Sequence, residues 1–262
     1  MAVVPVEDKI RDGQAFLNDR RTFPMDVARL GPLDTIAFDI APSRRSYAAV
    51  LQFWLDDTRI VAWAEGTRPP APWVLAASDS PRVRARGGRR VFLDDRLGHA
   101  LWVLPGPEQR RLSAQGRLLP GDLTGPLPAS AQVGSVTLAP GVPTEPVALH
   151  RGQVARVPLQ VRHRGVGAPW IDGASYRGRG SVRVGVRWYD EGEQVSFPFE
   201  RADLRRTLWP DQAVALTFGL RALDDDGDPL PAGRYEAVVT VLQEGIGVMP
   251  GVEGLRLTVD VT

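Results

Sequence analysis

Apolar and polar residues alternate in short runs along the second half of the chain. Between residues 157 and 161 every second residue is apolar, and the same pattern recurs at 182–188, 214–220, 235–241 and 255–261. A period of two gives a β-strand one dry face and one wet face. The pattern predicts a set of half-buried strands in this half of the chain.

The first half shows the same rhythm less regularly. Ile36, Phe38 and Ile40 share one side of a predicted strand, and residues 47–55 and 58–64 flank a predicted hairpin turn. Gly87-Gly88 supplies the positive φ angles of a two-residue turn, which predicts strands on either side of it. Further strands are predicted at 99–104 and 109–119, after a short N-terminal helical or irregular segment at 6–20.

The 27 glycines and 23 prolines separate these short runs as turn residues. A turn-rich segment from residue 119 to 128 marks the predicted domain boundary. The predicted domains are 1–127, a β-rich domain of unknown type, and 128–262, whose roughly seven strands match an immunoglobulin-like β-sandwich. The segment from Pro231 to Ala237, around Tyr235, resembles the tyrosine corner of such folds, and Trp188 takes the place of their core tryptophan. The predicted fold class is all-β, with two tandem β-sandwich (immunoglobulin-like) domains.

The amino-acid composition excludes several kinds of chemistry but does not indicate a specific function. The net charge of +1 gives no reason to expect nucleic acid as a partner, and the absence of cysteine excludes disulfides and thiolate chemistry. No signal peptide or membrane-spanning run is visible, which predicts a cytoplasmic protein or a soluble domain of a larger one. We predict no cofactor.

No sequence motif indicates a catalytic or metal site. The segment from Gly173 to Gly178 has one residue too many for a nucleophile elbow. The three histidines lack metal-site spacing, and the alternate aspartates from Asp224 to Asp228 fit a solvated hairpin tip better than a calcium loop. We therefore predict a non-enzyme without a metal. Two distant carboxylates acting as a glycosidase pair stay open as an alternative.

The second half resembles the β-sandwich modules appended to bacterial glycosyltransferases and to the ATPase subunits of polysaccharide exporters. The resemblance lies in residues 167–170, 182–190, 209–217 and 231–245, and those modules then continue into an aromatic-containing stretch where this chain reads Ile-Gly-Val-Met-Pro at 246–250. It implies a bacterial carbohydrate-binding, non-catalytic protein that binds or presents a glycan, or an accessory module in polysaccharide assembly. A structural or assembly subunit of a virion or surface, acting through a protein partner or self-association, is the alternative.

Two sets of residues are candidates for ligand contact. Sugar sites stack an aromatic ring on a pyranose face beside hydrogen-bonding groups, which selects the following ligand-binding residues: Trp170, Tyr176, Arg187, Tyr189 and Trp209. For the loop tryptophans, a ring tucked over the end of the sandwich is the competing interpretation. The predicted strands around Gly87-Gly88 carry an arginine ribbon that could bind an anion, made of Arg82, Arg84, Arg86, Arg89 and Arg90. Charges that protect an exposed strand are its competing interpretation.

Overall fold

A computed structural model describes residues 27–39, 55, 57–94, 98–143, 145–196 and 200–262. The chain divides into two compact units, Met1–Arg111 and Leu112–Thr262. The segment predicted at 6–20 and all but one residue of the strand predicted at 47–55 lie outside the described residues. Within the described ranges, no helix is long and apolar enough to cross a membrane.

The described residues are mostly in strands. In the first unit these are β1 (Thr35–Asp39), β2 (Arg59–Ala62), β3 (Trp73–Ala77), β4 (Arg89–Asp94) and β5 (His99–Val103). In the second unit they are β6 (Gly134–Leu138), β7 (Val147–Leu149), β8 (Ala155–His163), β9 (Val182–Asp190), β10 (Glu193–Ser196), β11 (Arg201–Asp203), β12 (Ala213–Leu220), β13 (Gly233–Gln243), β14 (Gly247–Val248), β15 (Val252–Glu253) and β16 (Leu255–Val261). The helices are α1 (Pro81–Arg84) and α2 (Pro107–Ala114), with a 3₁₀ turn at Ala129–Ala131.

The first unit contains one mixed sheet in the order β2-β1-β3-β5-β4. Strand β1 runs parallel to β2 and β3, and β5 runs antiparallel to β3 and β4. The prediction of a first β-sandwich is not confirmed, because the described residues of this unit form a single sheet. Ile36, Ala37 and Phe38 are all buried, so β1 has two dry faces, as strands of parallel sheets do.

Two segments predicted as strands are helical. Ser80 accepts a hydrogen bond from the Val83 amide, and Pro81 occupies the first turn of α1, so a capped helix start precedes the Gly-Gly pair. Pro107 likewise opens α2, and Gly116 ends that turn with a φ of 62°. The hairpin prediction across Gly87-Gly88 and the strand prediction at 109–119 are therefore wrong.

The second unit is built from two sheets around one core. The larger sheet has the order β10-β9-β13-β16-β7, with β11 paired to β9 and β14 to β13; the smaller has the order β12-β8-β6-β15. Inward side chains from both sheets form a common hydrophobic cluster that includes Leu159, Trp188 and Phe218. The predicted alternation is confirmed, since β8 and β12 bury every second residue.

Tyr235 makes the hydrogen bond that the sequence predicts. Its hydroxyl donates to the Pro231 carbonyl at 3.1 Å. Its ring meets Trp188 edge to face, with the ring centroids 6.4 Å apart. A tyrosine corner therefore fixes the start of β13 against the core.

The turn-rich segment that the sequence assigns to the first domain packs with the second unit. Leu127 belongs to the hydrophobic cluster of that unit. Its amide donates to the buried Gln243 side chain at 2.9 Å, and the Gln243 amide donates to the carbonyls of Gly125 and Gly180. The division between units falls at Arg111, before this segment.

Candidate functional site

Four side chains form a row across the outer face of the larger sheet. Strand register places Gln194 and Glu236 directly opposite Tyr189 on its two sides, and Thr258 opposite Glu236. Directly opposed residues have Cβ atoms about 4.5–5.5 Å apart. The row therefore forms one continuous surface over β10, β9, β13 and β16, which we call the Tyr189 row.

The alternation of β9 decides which side chains reach this face. Val184, Val186 and Trp188 are buried in the core, so Arg187 and Tyr189 point outward. Both are half-buried. The Tyr189 hydroxyl donates to the Gln194 side-chain oxygen at 3.4 Å, and the Arg187 guanidinium lies 5.8 Å from the Tyr189 ring centroid.

Arginine stems cover the next row of the same face. Val238 lies directly opposite Arg187 on one side and Arg256 on the other, and it is buried although its side chain points outward. Arg256 pairs with the Glu236 carboxylate, and Arg187 Nε has no hydrogen-bond partner among the described residues. Long basic side chains thus form a charged border beside the Tyr189 ring.

The arrangement offers the elements of sugar recognition in one place. A half-exposed phenol ring provides an apolar stacking surface, and the flanking amide, hydroxyl and carboxylate groups provide hydrogen-bond donors and acceptors. Arg187 and Tyr189, predicted from sequence, are brought together here. Gln194, Glu236 and Thr258 were not predicted. Glu236 and Thr258 come from distant segments, whose pairing has no local signal, whereas Gln194 follows Tyr189 by five residues across a hairpin that could have been recognised at Gly192.

Trp170 and Trp209 cannot stack on a sugar. Trp170 is 0% exposed, its ring stacks on His163 at 4.4 Å, and its indole N–H donates to the Ala131 carbonyl at 2.7 Å. Trp209 is 1% exposed, with the Arg117 guanidinium 4.5 Å from its ring. Both rings close the end of the sandwich, so their prediction as ligand contacts is wrong. Tyr176 lies in a loop outside the Tyr189 row, with its amide donating to the Asp172 carbonyl.

The arginines of the predicted ribbon do not lie along one pair of strands. Arg82, Arg84 and Arg86 lie in or just after α1, whereas Arg89 and Arg90 begin β4. Arg82 already makes contacts within the first unit. Its guanidinium lies 2.7 Å from the Asp39 carboxylate and 3.6 Å from the Trp63 ring centroid. Arg86 also lies near that ring, at 5.1 Å. Because the segment is helical, these arginines do not share one side of a strand.

A second polar cluster lies at the opposite end of β9 and was missed by sequence reasoning. Arg183 lies 3.0 Å from Asp203 and 3.3 Å from Glu244, and Arg201 also pairs with Glu244. A shallow cavity of about 200 Å³ opens beside it, lined by Arg201 and the hairpin residues 242–247. None of the described residues that line this cavity is aromatic.

Asp172 is the buried member of this region. It is 0% exposed, and one carboxylate oxygen accepts the Arg205 amide at 3.1 Å while the other has no hydrogen-bond partner among the described residues. Burial raises the pKa of Asp172, backbone amides oppose the rise and the neighbouring Asp203 carboxylate adds to it; the resulting pKa is about 6. An isolated aspartate in a loop gives no sequence signal of this burial.

The described residues contain no group of three or more histidine and acidic side chains that could hold a metal ion. Asp224 accepts the amides of Asp226 and Asp228 at 3.0 and 2.9 Å. Its carboxylate thus closes its own hairpin turn.

No protein-family model matches this chain, and no curated protein matches it. Among solved structures, it is similar to a CARDB domain from Pyrococcus furiosus, solved in complex with di-metal ions. The TM-score is 0.26 at 17% identity, covering 50% of this chain and 86% of that one. A β-glucosidase from Listeria innocua, solved in complex with glucose, gives a TM-score of 0.24 at 14% identity, covering 48% of this chain and 16% of that one.

Proposed function

We propose that this chain is a non-catalytic protein that binds a bacterial glycan through the Tyr189 row, as a binding or accessory module in polysaccharide assembly. In this proposal the second unit has an immunoglobulin-like β-sandwich fold. The tyrosine corner and the Trp188 core support that fold type. The sequence resemblance of residues 182–190 and 231–245 to polysaccharide-assembly modules points to the same function.

The observation that carries the proposal is the half-exposed Tyr189 ring flanked by polar side chains on both neighbouring strands. The three tryptophans of this unit are buried, so among the described residues Tyr189 offers a ring that a pyranose could reach on the sheet face. The row crosses four strands at about 4.8 Å spacing, a width of about 14 Å. That width accommodates two to three sugar units of an extended chain.

A glycan array that includes bacterial polysaccharides, read at low and high salt, tests the proposal. We expect binding that survives high salt, because ring stacking and neutral hydrogen bonds are screened little. Tyr189→Ala should weaken the best hit by about tenfold or more, equivalent to about 1.4 kcal/mol.

Tyr176→Ala is the matched control, since it removes the same side chain from a loop outside the row. It should bind like the parent. A blank array, or equal binding by parent and Tyr189→Ala, would contradict the proposal.

A further inference from the structure

Strand β12 is an open sheet edge in the part of the chain that the structure describes. There it pairs with β8 alone and ends the order of the smaller sheet. Its eight residues, Ala-Val-Ala-Leu-Thr-Phe-Gly-Leu, contain no charge and no proline, and its register with β8 is regular. Long, flat, uncharged edges readily pair with another strand.

The other edges in the described part of the chain carry the usual protection. Strands β4 and β10 contain register shifts and charged residues. Strand β2 has four residues and includes Arg59, and β11 has three, of which two are charged. Strands β7, β14 and β15 have three, two and two residues. The contrast marks β12 as an edge built for a partner strand.

The register of β12 shows which of its backbone amides and carbonyls face away from β8. His163 N–H donates to the Gln212 carbonyl, so in this register the even-numbered residues of β12 bond to β8 and the odd-numbered ones face the open edge. Ala215 and Thr217 are exposed. Their amides and carbonyls are therefore available to a neighbouring strand, while the Ala213 carbonyl at one end accepts the Arg206 side chain.

The charges at the two ends of β12 favour a second copy of this chain as that neighbour. Asp211 precedes the strand and Arg221 follows it, five residues to either side of Leu216. In a two-fold antiparallel pairing centred on Leu216, Thr217 faces Ala215 of the partner subunit. Arg221 then comes near Asp211 of the partner subunit, and the same contact repeats at the other end. Arg221 Nε has no hydrogen-bond partner among the described residues, and its pairing with Glu200 is loose at 3.4 Å.

We infer that β12 pairs with β12 of a second copy to form a closed, two-fold symmetric dimer through a continuous eight-stranded sheet. The pairing uses the same patch on both copies, so it ends at the dimer. Backbone hydrogen bonds provide the contact, and the small side chains on the solvent face leave it unobstructed. This inference is independent of glycan binding, which lies on the other sheet.

Sedimentation velocity over a concentration series tests the inference. The parent chain should show a reversible monomer–dimer equilibrium, and Thr217→Lys should raise the dissociation constant at least about tenfold by placing a charge at the centre of the pairing. Thr137→Lys is the matched control: it makes the same change on an exposed position of β6, an inner strand of the same sheet. It should dimerise like the parent.

A charge exchange tests the register. Arg221→Asp should weaken the dimer by opposing two carboxylates at each end, and the double variant Arg221→Asp with Asp211→Arg should restore it. A parent that stays monomeric, assemblies larger than a dimer, a dimer unaffected by Thr217→Lys, or a double variant no better than the single one would overturn the inference.

Discussion

Asp172 carries a carboxylate into the interior of the second unit with only one of its oxygens bonded to a described residue. The folded-state pKa of about 6 lies above the ordinary value of 3.8. Its contribution to stability is therefore fully present below pH 4 and is lost as the pH rises through 6. At neutral pH the buried Asp172 carboxylate is therefore charged, and one of its oxygens has no hydrogen-bond partner among the described residues.

Asp172→Asn should stabilise the protein at pH 8 by up to about 3 kcal/mol, the free energy of a shift of about two pKa units. The asparagine oxygen can still accept the Arg205 amide. Urea unfolding of parent and variant at pH 4 and pH 8 measures the effect, and the difference should shrink at pH 4. Asp190→Asn, at an exposed strand end, should show no such pH-dependent difference. A variant less stable than the parent at pH 8 would contradict the prediction.

At the scale of single residues, the outward position of Tyr189 and Arg187 on β9 could be predicted, while the burial of Trp170 and Trp209 could not. Alternation fixes the outward side of β9 without knowledge of its neighbours. A loop tryptophan has no such periodicity, so an exposed ring and a buried one have the same sequence signature. Burial of Trp170 depends on the Ala131 carbonyl and the His163 ring, which come from other segments.

At the scale of elements, the long strands of the second unit were predictable, and the helices α1 and α2 were not. Strands β8, β9, β12, β13 and β16 are each seven or more residues long, so their alternation is unmistakable. The segment 82–86 also alternates, as Arg-Val-Arg-Ala-Arg, but Ser80 and Pro81 start a helix there. In so short a segment, the helix-capping residue determines the structure, because an alternation over five residues is too short to distinguish a strand from a helix.

Gly180 and Gly192 are glycine at turns for two different physical reasons. Both have left-handed φ angles, 95° and 92°, but a Cβ at Gly180 would lie 1.9 Å from the Leu123 carbonyl oxygen, whereas a Cβ at Gly192 meets nothing within 4 Å. Gly192→Ala should cost about 1–2 kcal/mol from backbone strain alone. Gly180→Ala should cost more than about 3 kcal/mol, since the backbone of the 123–124 turn must also move.

Thermal and urea unfolding of the two alanine variants measure this difference. Equal destabilisation would mean that the Leu123 turn yields without cost, and that the close approach at Gly180 does not stabilise the fold.

At the scale of the whole molecule, the sequence predicted two domains but not the nature of the first. Its sheet mixes parallel and antiparallel pairs, and parallel pairing joins segments that are distant in sequence. Local alternation reports whether a strand has one wet face; it does not report strand order or direction. The second unit, with long one-sided strands, was accordingly the predictable part.

The position of the boundary can be tested with two fragments. Residues 112–262 keep the Gly125 and Leu127 backbone bonds to Gln243, and residues 128–262 lose them. We expect the shorter fragment to be less stable by about 1–3 kcal/mol for each buried polar group left without a partner. Chemical unfolding followed by circular dichroism compares the two. Identical midpoints would place the boundary after residue 127.

The parallel pairings of β15 and β16 join the two ends of the second unit. Val252 lies opposite Gly134, and Val259 lies opposite Val147, more than a hundred residues earlier in both cases. Strand β16 also sits between β13 and β7, inside the larger sheet. During synthesis, β6 stays unpaired on this side until residue 253 has left the ribosome, and β7 until residue 261 has. A chain stalled before β16 would therefore lack an inner strand of the larger sheet and expose its apolar interior to chaperones and proteases.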